Sequence, residues 1–182
     1  MKASRMKDKA TIGVCSPSFP ISATEPIRYE RGIKYLENKG FQVKNGFLYK
    51  KNDFYRSGTI KERAAEFNDL LYDENIQIIM TSIGGNNTNS ILPYIDYEYI
   101  KKHPKIITGY SDITILLQAI YEKTGLITFS GTNFKTIATD ETDFSYKEAL
   151  NRFVDGSLKF GPENEEYITI QDGTAKGELI GG

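Results

Sequence analysis

Short apolar runs alternate along the chain with longer stretches in which apolar residues recur every three or four positions. "ATIGVCSPS" (10–18) is β-rich and stops at Ser-Pro, which predicts a strand followed by a loop. "EPIRYERGIKYLENKG" (25–40) carries Ile33 and Leu36 at helical spacing, with Ile27 and Tyr29 just upstream, and ends at Gly40, a C-cap residue. "FQVKNG" (41–46) alternates as a strand does. "TIKERAAEFNDLLYDEN" (59–75) reads as the clearest helix. Thr59 and Glu62 have the spacing of a capping box, and Ile60, Ala64, Phe67 and Leu71 fall on one face.

The same alternation continues. "IQIIMTSIGG" (76–85) is a near-continuous apolar run that predicts a buried parallel strand. "NTNSILPYIDYEYIKKH" (87–103) predicts two short helices, with Pro93 as a break. "KIITGYS" is the next strand, "DITILLQAIYEKTG" (112–125) the next helix, closed by Gly125, and "LITFSG" (126–131) a further strand. "SYKEALNRFVDG" (145–156) is a last helix. Such alternation predicts an α/β fold, an open, mostly parallel sheet with helices on both faces. Ligands bind such sheets at the carboxyl ends of the strands, where three loops fall: 16–22, 83–89 and 110–112. After Gly156 the chain turns polar, turn-rich and β-like. Residues 1–156 therefore read as one α/β domain and 157–182 as a short β-rich linker into a second domain that is missing here.

Composition narrows the function classes. Of 182 residues, 39% are apolar and 26% charged, as in a soluble globule, and the formal net charge is −1. That balance gives no electrostatic pull toward nucleic acid or an anionic membrane. No apolar run reaches membrane-spanning length, and no signal-peptide core comes after the charged N-terminus. A cytoplasmic location is the resulting expectation. The single cysteine, Cys15, sits in an apolar run and reads as a small buried hydrophobe. The single histidine, His103, lies before Pro104 at a helix end. These counts exclude a Cys/His metal cluster, and no metal or cofactor is expected.

The candidate chemistry lies in the three loops. Ser111 stands in "GYSDIT", between a strand and a helix, where a hydroxyl can be held exposed as a nucleophile and the helix N-terminus can stabilise an oxyanion. The sequence is Gly-Tyr-Ser-Asp and lacks the Gly-x-Ser-x-Gly of the hydrolase elbow. Spacing alone favours Ser111 or Asp112 as a simple helix cap. Gly84 and Gly85 in "SIGGNNTNS" can bring backbone N–H groups to an anion or a carbonyl oxygen, or can be a turn with Asn87 or Thr88 as N-cap. The loop lacks the P-loop lysine and the dinucleotide fingerprint. Arg56 and Arg63 could bind a carboxylate but read as solvated surface residues. A serine nucleophile needs a base. His103 and Ser111 fall at opposite ends of one strand, roughly 16 Å apart, so His103 cannot serve.

Taken together, "IGVCSPS", "GTIKERAAEFNDLLYDENIQIIMTSIGGNNTN" and "IITGYSDITILLQAIY" resemble the LD-carboxypeptidase family, which includes the microcin C immunity peptidases. "SIGGNN" is closer to the microcin-immunity branch than to the cell-wall recycling branch. "FSGTNF" (129–134) departs from the Tyr-Gly-Pro often found at that place. The resemblance implies a cytoplasmic serine peptidase of two domains, the first flavodoxin-like and carrying the nucleophile. The second supplies the glutamate and histidine of a Ser-Glu-His triad. It implies Ser111 as nucleophile and the backbone N–H groups of Gly85 and Asp112 as oxyanion hole. Gly84, Asn86 and Asn87 are the expected substrate contacts. The substrate would be a muropeptide or a microcin-like aminoacyl-nucleotide. The chain itself, without glutamate and histidine, is expected to be inactive. Its uncovered face predicts self-association, a homodimer being the simplest form. The alternative reading is a non-catalytic α/β domain that binds a nucleotide or other small anion in the 84–89 loop. No cofactor enters either reading.

Overall fold

The computed structural model describes residues 1–6, 9–137, 144–157 and 168–180. Five strands form one sheet: β1 (Thr11–Cys15), β2 (Gln42–Asn45), β3 (Ile76–Thr81), β4 (Ile106–Gly109) and β5 (Phe129–Ser130). Their order is β2-β1-β3-β4-β5, and every neighbouring pair runs parallel. The order reverses at β1, so the chain leaves β1 and β3 toward opposite faces of the sheet, and the loops that follow them lie side by side at the carboxyl edge. The predicted α/β class and all five predicted strands are therefore present.

Helices cover both faces, because strands buried on two sides need apolar partners on two sides. On one face α3 (Ile60–Tyr72), α4 (Tyr97–Lys102) and α5 (Thr114–Thr124) close over Ile79, Ile107 and Cys15. On the other, α2 (Pro26–Asn38), α6 (Phe134–Ile137) and α7 (Phe144–Phe153) pack on Ile12, Val14, Ile78 and Met80. The predicted capping box forms: the Glu62 backbone N–H donates to Thr59 Oγ1, and the Thr59 N–H donates to Glu62 Oε2 at 2.9 Å. Ala64, Phe67 and Leu71 are buried as their spacing predicts. Ile60, at the first helical position, stays partly outside. Ile27 is exposed for a related reason, lying in the first turn of α2, whereas Tyr29 and Leu36 are buried. Gly125 ends α5 in the left-handed conformation.

Periodicity does not signal two short helices, α1 (Ile21–Thr24) and α6, each a single turn. The 88–94 segment is a 3₁₀ helix that contains Pro93. Of the predicted linker, 158–167 and 181–182 lie outside the described residues. Residues 168–180 form no strand and leave Ile168, Ile170, Leu179 and Ile180 exposed. A strand needs a neighbour to complete its hydrogen bonds, and none of the described strands pairs with them. Tyr121 on α5 donates a hydrogen bond to Glu178 of this segment. No helix of the described residues is long and apolar enough to cross a membrane.

Candidate active site

β4 is fully buried and ends at Gly109, where a Cβ would lie 2.2 Å from Thr81 Oγ1. Only glycine lets the strand end so close to β3. Tyr110 is extended, and the chain then bends sharply at Ser111, whose φ is 64°. For a residue with a Cβ this left-handed conformation is strained, at a cost of order 1–3 kcal/mol. The bend leaves Ser111 exposed at the tip, ahead of the 3₁₀ turn Ser111–Ile113 that leads into α5. No side-chain cap hydrogen bond is made at the start of either element. The helix-cap reading favoured by spacing alone is thus corrected: neither side chain caps the start of α5.

The Asp112 carboxylate instead faces the loop after β3. Its Oδ2 accepts from the Asn87 N–H (2.9 Å), the Thr88 N–H (3.0 Å), Thr88 Oγ1 (2.7 Å) and Ser18 Oγ (2.7 Å). Burial pushes this carboxyl up, but those hydrogen bonds outweigh it and hold the group below its ordinary value. Asn87 sits at the N-cap position of the 3₁₀ helix without capping it through its own side chain, so Asp112 performs that capping from another segment.

The glycine pair sets how closely the loops approach. A Cβ at Gly84 would lie 2.9 Å from Ser111 Cβ and 3.2 Å from the Asp112 nitrogen. At Gly85 it would lie 2.1 Å from Ser18 Oγ. The Gly84 carbonyl accepts from the Phe19 N–H at 3.2 Å, and the Asn86 N–H donates to Ser18 Oγ at 3.2 Å. Gly85 and Asn86 are exposed, and the Asn87 side-chain amide donates to Asn86 Oδ1. All six residues singled out in the sequence (84, 85, 86, 87, 111 and 112) therefore lie in one loop cluster at the carboxyl edge, together with the 16–19 loop.

Arg63 corrects its expectation. It is fully buried, not solvated, because α3 turns it under the loops, where carbonyls need donors. It donates to the carbonyls of Gly58 (3.0 Å), Pro17 (2.5 Å) and Asn87 (3.1 Å) and to Ser90 Oγ (3.0 Å). Glu66, one turn on and also buried, accepts from the Ser16 N–H (2.9 Å) and the Leu48 N–H (2.8 Å). Burial raises its carboxyl to about 7 despite those donors. Neither role is among the expectations from the sequence. The available signal is two charges at 63 and 66 on the flank of the buried stripe Ala64, Phe67, Leu71, where solvated residues do not belong. Arg56, by contrast, is partly exposed and pairs with Asp53 at 2.7 Å.

The histidine lies where the strand argument put it. His103 ends α4 before β4, at the amino edge of the sheet, and stacks on Tyr99 with ring centroids 4.3 Å apart. Ser111 is at the carboxyl edge. Cys15 is buried, and burial pushes its thiol well up. Among the described residues no three His, Cys, Asp or Glu side chains are grouped to hold a metal ion.

The fold and these loops define a doubly wound α/β domain whose loop cluster sits at the switch point of its sheet. Comparison with known proteins makes the assignment specific: the LD-carboxypeptidase N-terminal domain matches residues 12–131, and the chain belongs to the LD-carboxypeptidase family. It is 57% identical to the microcin C7 self-immunity protein MccF of Escherichia coli over 121 residues, 66% of this chain and 35% of that protein. It is 36% identical over 177 residues to the probable murein peptide carboxypeptidase of Bacillus subtilis, covering 94% of this chain and 54% of that one. The solved structure of MccF in complex with aspartyl sulfamoyl adenosine matches at TM-score 0.81 and 46% identity, covering 84% of this chain and 46% of that chain. The chain thus spans about half or less of the length of these relatives.

Proposed function

We propose that this chain is the nucleophile-bearing domain of a cytoplasmic serine carboxypeptidase or amidohydrolase. The observation that carries the reading is Ser111 itself: an exposed serine held at φ 64° on the strand–helix junction beside the glycine loop. In this reading Ser111 Oγ attacks the carbonyl carbon of an amide, and a base takes the hydroxyl proton. The oxyanion so formed accepts hydrogen bonds from the N–H groups of Gly85 and Asp112. Collapse breaks the C–N bond, the amine leaves with a proton, and water then releases the acyl group from Ser111. Gly84, Asn86 and Asn87 contact the substrate.

The sole histidine is at the far edge of the sheet from Ser111; the family resemblance implies that the base and its orienting glutamate belong to a second domain that meets the Tyr110–Asp112 face. The substrate class is an amide beside a carboxylate or an aminoacyl-nucleotide, since solved complexes of MccF hold aspartyl sulfamoyl adenosine and glutamyl sulfamoyl guanosine. Ser111→Ala in the intact protein is expected to abolish hydrolysis of an aminoacyl sulfamoyl nucleotide or a muropeptide. It should also abolish labelling by a fluorophosphonate. Retained turnover and labelling would exclude the reading. The 182-residue chain alone is expected to turn over orders of magnitude more slowly, as a triad serine does without its base.

A further inference from the structure

We propose that the Asp112 carboxylate and the Arg63 guanidinium form a two-sided clamp that positions the glycine loop against Ser111. Both are then positioning residues for the reaction proposed above, and the inference rests on that reading.

Each of two loops offers a donor to the carboxylate and an acceptor to the guanidinium. Asn87 gives its N–H to Asp112 and its carbonyl to Arg63. The first loop repeats the arrangement, with the Ser18 hydroxyl on Asp112 and the Pro17 carbonyl on Arg63. The loops are also tied to each other, by Asn86 N–H on Ser18 Oγ and Phe19 N–H on the Gly84 carbonyl. Gly84 is the residue against which Ser111 Cβ and the Asp112 nitrogen lie. One side chain therefore fixes the loop while its own main chain carries the neighbouring N–H. Hydrogen bonds to charged groups are roughly twice as strong as neutral ones. Such a clamp holds donors still before charge develops, which is what an oxyanion site requires.

The clamp predicts a specific kinetic pattern in the intact protein. Asp112→Asn keeps the backbone N–H and the size but removes the charge. It should lower kcat on the order of 10²-fold with KM little changed, the scale of losing an oxyanion donor. Thr88→Val is nearly isosteric and removes one hydroxyl from Asp112. It should lower kcat about tenfold, as the loss of about 1.4 kcal/mol of transition-state stabilisation would, while Thr88→Ser restores it. Fluorophosphonate labelling rates at Ser111 should fall in the same proportion, and urea denaturation should show the Thr88 variants fully folded under assay conditions. If Asp112→Asn does not fold, the Thr88 pair decides. Wild-type kcat in Thr88→Val, with Ser111→Ala inactive, would overturn the clamp and leave the serine mechanism standing. Full activity in Ser111→Ala would overturn the serine mechanism first, and the clamp as a catalytic device with it.

Discussion

Ser111 and Glu66 show how the carboxyl edge stores unfavourable free energy at single residues. Ser111 holds a backbone conformation that glycine adopts freely and serine does not. Glu66 places a carboxyl in the interior, where its two oxygens accept backbone N–H groups of Ser16 and Leu48. Its proton affinity is raised from the ordinary 4.5 to about 7, chiefly by burial, with Lys51 and Asp69 as the charged neighbours. Between those values the folded state keeps a proton that the unfolded state has lost. This group's contribution to stability therefore falls as pH rises through that window. Asp73 and Asp112, held below their ordinary values, act in the opposite sense and at lower pH: their contribution is lost as pH falls through their folded values. Urea denaturation from pH 5 to pH 8 should show a declining slope that Glu66→Gln flattens. At pH 5 the variant should be less stable by about 1–3 kcal/mol, because its NH₂ faces a buried backbone donor. A slope unchanged in Glu66→Gln would show that another group controls that window.

At the scale of elements, α3 carries both the best sequence signal and the least legible function. Thr59→Ala removes one half of the capping box and should destabilise the protein by about 1 kcal/mol, read as a lower urea midpoint at constant slope. The helix is legible because its cap and its apolar stripe are local patterns. So are the strands, whose apolar runs end at glycine or Ser-Pro. The hidden features are non-local. Arg63 looks like any charged helix residue until the loops after β1 and β3 are seen to leave carbonyls above it. Asp112 looks like a cap for the helix just after it, yet its oxygen is taken by Asn87 and Thr88, which lie 25 and 24 residues upstream. One-turn helices such as α1 and α6 are too short to show a period. Resemblance, by contrast, points to Ser111 without knowledge of its φ, because the three loop motifs occur together.

For the whole molecule, the parallel sheet separates the two residues that simple hydrolase logic would pair. Every strand runs in one direction, so the residues entering a strand and those leaving it lie on opposite edges. His103 lies before β4 and Ser111 after it. The same topology gathers the loops after β1, β3 and β4 onto one edge, which is why residues nearly a hundred positions apart, Ser18 and Asp112, meet at 2.7 Å. His103 thus lies on the opposite edge of the sheet from Ser111, and its ring packs on Tyr99. His103→Ala should leave kcat, KM and the pH profile of the intact protein within about twofold of wild type, as for a surface substitution remote from the site. Ser111→Ala measured beside it should be inactive. A pH profile that loses its neutral limb in His103→Ala would place the base on this chain and contradict the strand geometry. A profile that keeps that limb excludes His103 as the titrating base.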